Sequence, residues 1–190
     1  MTNEEILDVF QKTGGVLKGH FQLTSGRHAD TYMQCAKLFS DARHSEKLCK
    51  ALAEKLKGYP AHLVVSPAVG GILMGYEVSR QLNLPNIFAE RENGKFALRR
   101  GFSLPENCSA IVVEDVVTTG GSVKEVIELI TGLGGSVAAV ASIVDRSAGK
   151  VDFGVPYAAL LSVEIASYEP GDCPLCRAGE LPLYKPGSRK

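Results

Sequence analysis

The sequence predicts an α/β protein, with a central, mostly parallel sheet flanked by helices. Three observations carry that prediction. The runs "HLVVS", "AIVVED" and "SVAAVASIVD" are rich in β-branched and small apolar residues, as strands buried on both faces are. The segments "GGILMGYEVSRQL" and "SVKEVIELITGL" carry apolar residues at helical spacing. Strand and helix then alternate along the middle of the chain, the order expected of parallel strands joined by crossover helices.

Taken in order, residues 3–12 read as a helix with Ile6, Leu7, Val9 and Phe10 on one side. The Gly-punctuated stretch "TGGVLKGHFQLTSGRHADTYMQC" reads as short strands or a hairpin. In "SDARHSEKLCKALAEKLKG", Ser40 or Asp41 can cap a helix, Leu48, Leu52 and Leu56 form its stripe, and Gly58 with Pro60 ends it. "HLVVS", the helix "GGILMGYEVSRQL" and the strand "NIFAE" follow, and then a long polar loop, "RENGKFALRRGFSLPENC". "AIVVED", the helix "SVKEVIELITGL", "SVAAVASIVD" and "YAALLSVEI" complete the alternation. The tail from 167 to 190, rich in Pro and Gly, is expected to pack as irregular surface chain. With no repeat or linker, residues 1–190 are expected to form one domain.

Composition narrows the function. Lys plus Arg and Asp plus Glu both number 21, which argues against a nucleic-acid or membrane-surface partner. The longest stretch free of charged residues and histidine, Leu129 to Val144, is 16 residues with three glycines, too short and too broken to span a bilayer. The start, "MTNEEILDVF", lacks the basic and apolar regions of a signal peptide, and five cysteines are an odd number for a secreted disulfide framework. A cytoplasmic location is expected.

The stretch "IVVEDVVTTGGS", residues 111–122, carries the chemistry. It ends a strand in two acids, Glu114 and Asp115, and continues into a Thr-Thr-Gly-Gly turn. In a doubly wound sheet, ligands sit at the carboxyl ends of strands. Ser122 and Glu125 have capping-box spacing, which sets a helix start at Ser122. Turn amides and the positive end of that helix suit a phosphate, and Gly120 and Gly121 let it approach the main chain. Carboxylates repel phosphate, so the acids are read as acceptors for vicinal sugar hydroxyls. The stretch therefore describes a sugar phosphate site, with a merely polar βα turn as the plain alternative. No Gly-Lys-Ser/Thr is present, so it is not a Walker A loop.

This stretch resembles the 5-phosphoribosyl 1-diphosphate motif of type I phosphoribosyltransferases, with Glu114 where many members have Asp. Leu23, Ser25, Gly26 and Arg27 in "HFQLTSGRHADTYMQC" resemble the L-x-SGR segment of orotate phosphoribosyltransferases, with Thr24 where many have Lys. "SPAVGGILMGY" resembles the family's loop beneath the diphosphate, with Gly70 where several relatives carry Lys. The resemblance implies the type I fold with a small N-terminal hood from residues 1–40. It also implies transfer of the phosphoribosyl group to orotate, a Mg²⁺ cofactor held mainly by diphosphate and ribose hydroxyls rather than by a dedicated set of protein ligands, and a homodimer with shared active sites.

By that resemblance, the phosphoribosyl diphosphate is bound by Glu114, Asp115, Val116, Val117, Thr118, Thr119, Gly120, Gly121, Ser122, Arg91 and Lys95. Lys95, Asp115 and Glu114 are the expected catalytic residues. Arg146, which follows a strand end, can hold the orotate carboxylate in two parallel hydrogen bonds. Thr118, Tyr32 and Met33 complete the orotate site, and the plain alternative for Arg146 is an ion pair with Asp145. Arg91, Lys95, Arg99 and Arg100 fall in ten residues of the polar loop 91–103, which the resemblance marks as a mobile lid, with a solvated hairpin of charged faces as the plain alternative. The His that many relatives place two residues after the Lys is replaced by Ala97.

An enzyme acting on a purine or uracil would keep 111–122 and have no need of Arg146. A non-catalytic regulator on the same fold would have no need of Arg91 and Lys95. His28 is expected near the base or diphosphate, and His20, His44 and His62 as ordinary surface or packing residues. Cys173 and Cys176 supply two thiols of a C-x-x-C pair; with no second pair or nearby His they read first as structural or incidental thiols, with a metal site and redox chemistry as the alternatives.

Overall fold

The computed structural model describes residues 1–23 and 25–186. The helix α1 (Asn3–Lys12) is closed at its start by a capping box between Thr2 and Glu5, and buries Ile6, Val9 and Phe10. Then β1 (Val16–Gln22) and β2 (His28–Met33) pair antiparallel, with an irregularity between Lys18 and Phe21. A 3-10 turn, Cys35–Ser40, leads to α2 (Ala42–Leu56), capped by the Asp41 side chain on the Arg43 amide. The alternating unit is β3 (Leu63–Pro67), α3 (Gly71–Leu82), β4 (Asn86–Glu92), β5 (Lys95–Leu98), β6 (Ser109–Val117), α4 (Gly121–Gly132), β7 (Ser136–Asp145) and β8 (Tyr157–Ser162).

The main sheet has the order β5-β4-β3-β6-β7-β8. All neighbours are parallel except β5, which folds back antiparallel on β4. Strand alternation divides the core into two layers. Val64, Ile111, Val113, Ala139 and Ala141 pack with Leu48, Leu52 and Leu56 of α2 and Met74 and Val78 of α3. Leu63, Val65, Ala110, Val112 and Val140 pack with Val123, Val126 and Ile130 of α4. Helices thus cover both faces, as the continuous apolar runs require. Among the described residues no helix is long and apolar enough to cross a membrane.

Two expectations change. The polar segment after β4 is not an open loop: β4 runs on to Glu92 and turns through Asn93 and Gly94, both at positive φ, into β5. Asn-Gly at a two-residue connection is the sequence that such a tight hairpin demands. The tail is not wholly irregular either. It contains α5 (Pro174–Ala178) and β9 (Leu183–Tyr184), and β9 adds in parallel to β1 to make a three-stranded sheet β2-β1-β9. The hood is therefore built from both ends of the chain. Local composition could not show this, because β9 is two residues long and is fixed by its partner.

Candidate active site

The sheet order reverses at β3, with β4 on one side and β6 on the other. The crevice of a doubly wound sheet opens at such a switch, beyond the carboxyl ends of the two strands. Here those ends are Pro67 with the loop that follows it and Glu114 to Val117 of β6. Gly70 brings the two together, since a Cβ there would stand 3.1 Å from Asp115 Oδ2. Gly75 is equally constrained, because a Cβ on it would come within 2.6 Å of Ser66 Oγ, so α3 packs tightly under the loop.

Asp115 and Glu114 are both half-buried. Glu114 Oε1 accepts from the Asp115 amide at 3.1 Å, and Asp115 Oδ1 accepts from the Val116 amide at 2.8 Å. Removal from water nevertheless dominates and raises the Asp115 carboxyl above its ordinary value. A ligand bringing hydroxyl donors or positive charge would relieve that cost. Val117 places its side chain in the core and its carbonyl on the Arg146 amide, at 2.8 Å, which ties the ends of β6 and β7 together.

Beyond β6, Thr118 and Thr119 are exposed and Gly120 is buried. Gly120 is the N-cap of α4 at φ 75°, and a Cβ there would lie 2.7 Å from Val151 and 2.8 Å from Phe153. Both the backbone and the neighbours demand glycine. The helix begins at Gly121 with Gly120 as its N-cap, so Ser122 lies inside the first turn rather than at the cap position that the sequence suggested. Glu125 is instead engaged by Arg91, through Nη1 and Nη2 at 2.9 Å each. With Lys124 N closing on Gly120 O, the first turn of α4 presents its amides at the crevice end of β6.

Arg146 follows β7 directly. It makes no pair with Asp145, whose carboxylate accepts from the Ser147 amide and hydroxyl and the Gly149 amide. Arg146 Nε is buried without a hydrogen-bond partner among the described residues. Burial depresses the guanidinium's proton affinity, partly offset by the nearby Tyr32 and Cys35. Tyr32 lies within reach of the charges of Arg146 and Asp115, and burial pushes its hydroxyl pKa up. Met33, the next residue on β2, is buried in the core with Ile6, Val9 and Phe10, so only Tyr32 of this pair joins Arg146. Cys35 is a neighbour that sequence reasoning missed: it is buried, and desolvation with Asp115 nearby raises its thiol well above normal.

The hairpin's arginines are all engaged. Arg91 pairs with Glu125 and stacks 4.2 Å over Phe96, Arg100 pairs with Glu90, and Arg99 reaches Glu92 at 3.4 Å. Lys95 is exposed at the turn and is in none of the ion pairs among the described residues.

Arg27 does not face the crevice. It holds the tail, through Ser167 and Glu169. Thr24 lies outside the described residues. His28 also departs from expectation: it is buried with Nδ1 3.0 Å from His20 Nε2 and 3.3 Å from Cys176 Sγ. The pairing of β1 with β2 and the bridge between His28 and Tyr168 turn it toward the tail. His20 is no ordinary packing residue either, since it stands among the same thiols.

Residues 37–157 match the model of the phosphoribosyl transferase domain. Along its whole length the chain is 54% identical to an orotate phosphoribosyltransferase of Caldanaerobacter subterraneus, covering 100% of each. It is 55% identical, at the same coverage, to one from Thermoanaerobacter. The chain belongs to the orotate phosphoribosyltransferase family. The family's fold is also seen in the Aeropyrum pernix orotate phosphoribosyltransferase, with a TM-score of 0.71 over 83% of this chain and 93% of that one, at 24% identity. Leishmania donovani UMP synthase matches with a TM-score of 0.75 at 19% identity, over 86% of this chain and 37% of that one. At the crevice of this chain an acid pair, a glycine turn and a half-buried guanidinium stand together.

Proposed function

We propose that the protein transfers the 5-phosphoribosyl group from 5-phosphoribosyl 1-diphosphate to orotate, giving orotidine 5′-monophosphate and diphosphate. The observation that carries this reading is Arg146: a half-buried guanidinium whose Nε has no partner among the described residues, beside Tyr32 at the same crevice as the acid pair. A planar carboxylate on a flat base answers that need with paired charged hydrogen bonds.

Glu114 and Asp115 accept from the ribose hydroxyls. The turn from Thr118 to Ser122 holds the 5-phosphate with its amides and threonine hydroxyls, and Thr118 also borders the base. Breaking the anomeric bond leaves oxocarbenium character on the ribose and negative charge on the diphosphate, so catalysis needs countercharge and exclusion of water. Arg91 and Lys95 supply the countercharge, and Arg91 must exchange Glu125 for the diphosphate to do so. Mg²⁺ would be held mainly by the substrate's diphosphate and ribose hydroxyls, the latter positioned by Glu114 and Asp115, and would supply Lewis-acid charge to the leaving group. The enzyme works as a homodimer with shared active sites, supported by the exposed stripe Val69, Leu73 and Tyr76 on and before α3. Five free cysteines suit a reducing cytoplasm, where we place it.

The test is a substrate panel. Wild type should consume orotate and leave uracil and purine bases unchanged. Arg146→Ala should lose orotate turnover through a raised KM, and full orotate turnover in that variant would refute the assignment.

A further inference from the structure

The β1–β2 hairpin and the C-terminal tail meet in a second cluster of ionisable side chains. His20, His28, Cys173 and Cys176 each offer one ligand atom, and these four atoms all lie within 4.8 Å of one another. Both sulfurs are free thiols. In the antiparallel register Gln22 faces His28, so His20, two residues along the same face of β1, falls diagonally beside it. Cys173 is the N-cap of α5 and Cys176 lies in its first turn, which points both sulfurs the same way.

We propose that these four residues form a structural zinc site of Cys₂His₂ type. A tetrahedral ion with Zn–S of about 2.3 Å and Zn–N of about 2.0–2.1 Å requires N–N of about 3.3 Å and S–N of about 3.6 Å. His20 Nε2 and His28 Nδ1 are 3.0 Å apart. Cys173 Sγ and Cys176 Sγ each stand 3.6 Å from His20 Nε2, and Cys176 Sγ stands 3.3 Å from His28 Nδ1. The ligand shell is thus close to the size that the ion demands. Leu181 O, 3.2 Å from His20 Nδ1, accepts that ring's proton and leaves Nε2 as a lone pair facing the thiols. Mixed thiolate and imidazole donors in a tetrahedral array select zinc over hard cations.

Four protein donors close the coordination sphere, and His20, His28 and Cys173 are buried, so the ion has no position for a reacting water. Its role is to fasten the tail. Arg27 on Ser167 and the paired main chains of His28 and Tyr168 dock the near side of the tail, and β9 on β1 docks the far side. The ion joins the two between them. The fastened tail sets Tyr184 against Phe21 and Phe21 against Tyr32, with ring centres 6.4 and 5.9 Å apart.

Full-length protein, made without a histidine tag and dialysed against a weak chelator, should carry about one zinc per chain. The Cys173→Ser/Cys176→Ser double variant should lose it and melt several degrees lower. Because that variant can fail to fold, wild type exchanged with Co²⁺ supplies a second readout: intense visible ligand-field bands of tetrahedral cobalt and a thiolate-to-cobalt charge-transfer band. Protein that is isolated without zinc and takes up neither ion stoichiometrically overturns the proposal. So does a folded double variant that keeps its zinc, or cobalt protein with only weak octahedral bands. None of these readouts depends on turnover, so the zinc site and the proposed reaction stand or fall separately.

Discussion

The end of β6 and the underside of the hood each concentrate ionisable side chains, and they do so on opposite terms. At the carboxyl ends of β6 and β7 the groups sit on adjacent strands and the turns after them, half-exposed, with an Asp carboxyl raised by burial and a guanidinium nitrogen lacking a partner among the described residues. Under the hood the groups come from two ends of the chain and face one another, with a backbone carbonyl already fixing one ring. The first arrangement keeps the Arg146 Nε without a partner among the described residues and an Asp carboxyl raised by burial, which a charged or hydroxyl-bearing ligand would relieve. The second satisfies its members internally, as a structural centre does. The glycines show the same contrast: Gly70 and Gly120 are fixed by what they touch at the crevice, whereas a Cβ at Gly171 or Gly179 in the tail meets nothing within 4 Å.

Substitutions should separate the two regions. The largest effect on turnover is expected at Lys95: Lys95→Ala should lower kcat by about 10²–10⁴-fold, the range for loss of a positioned proton-transfer or countercharge group, with the melting temperature unchanged because the side chain is exposed. Steady-state kinetics beside a thermal melt checks both halves. Asp115→Asn should lower kcat/KM by about 10²-fold through weakened bonds to the ribose hydroxyls. Mixing these two inactive variants offers a direct probe of sharing between subunits. If the sites are shared, heterodimers regain one intact site, and the mixture should reach about a quarter of wild-type activity after subunit exchange. No recovery would mean that Lys95 serves its own chain.

Asp115→Asn should also change stability with pH. Burial raises the folded carboxyl, so the folded protein holds this proton more tightly than the unfolded chain does. The group's contribution is then most favourable in acid and declines as pH rises from about 4 through the raised folded value. The variant lacks that decline, and its denaturant midpoint should gain on wild type as pH rises across that window. A constant difference would place Asp115 in water. The smallest effect on turnover is expected at Gly120. Gly120→Ala forces a Cβ onto Val151 and Phe153 at positive φ, costing about 1–3 kcal/mol of stability, and any loss of substrate affinity should be secondary to that.

The contrast also explains what could be read from sequence. The alternating sheet and its helices are local patterns, and α1, α2, α3 and the buried strands lie where periodicity sets them. The crevice motif was legible because twelve contiguous residues carry strand, acids, turn and helix start together. The details that failed depend on distant partners. The α4 helix starts one residue before Ser122, with Gly120 as its cap, and Glu125 pairs with Arg91 of the distant β4. Met33 turns inward because strand alternation gives Tyr32 the crevice face. His20 and His28 lie some 150 positions from the C-x-x-C pair, and the docking of the tail on β1 and β2 brings them together.

The most direct measurement of the central claim is binding of 5-phosphoribosyl diphosphate with Mg²⁺, titrated calorimetrically into wild type and into the Glu114→Gln/Asp115→Asn protein. Wild type should bind one molecule per chain, and the double variant, folded by circular dichroism, should bind at least about 10²-fold more weakly. Equal affinity in the two proteins would show that the acids do not hold the sugar, and would contradict the account.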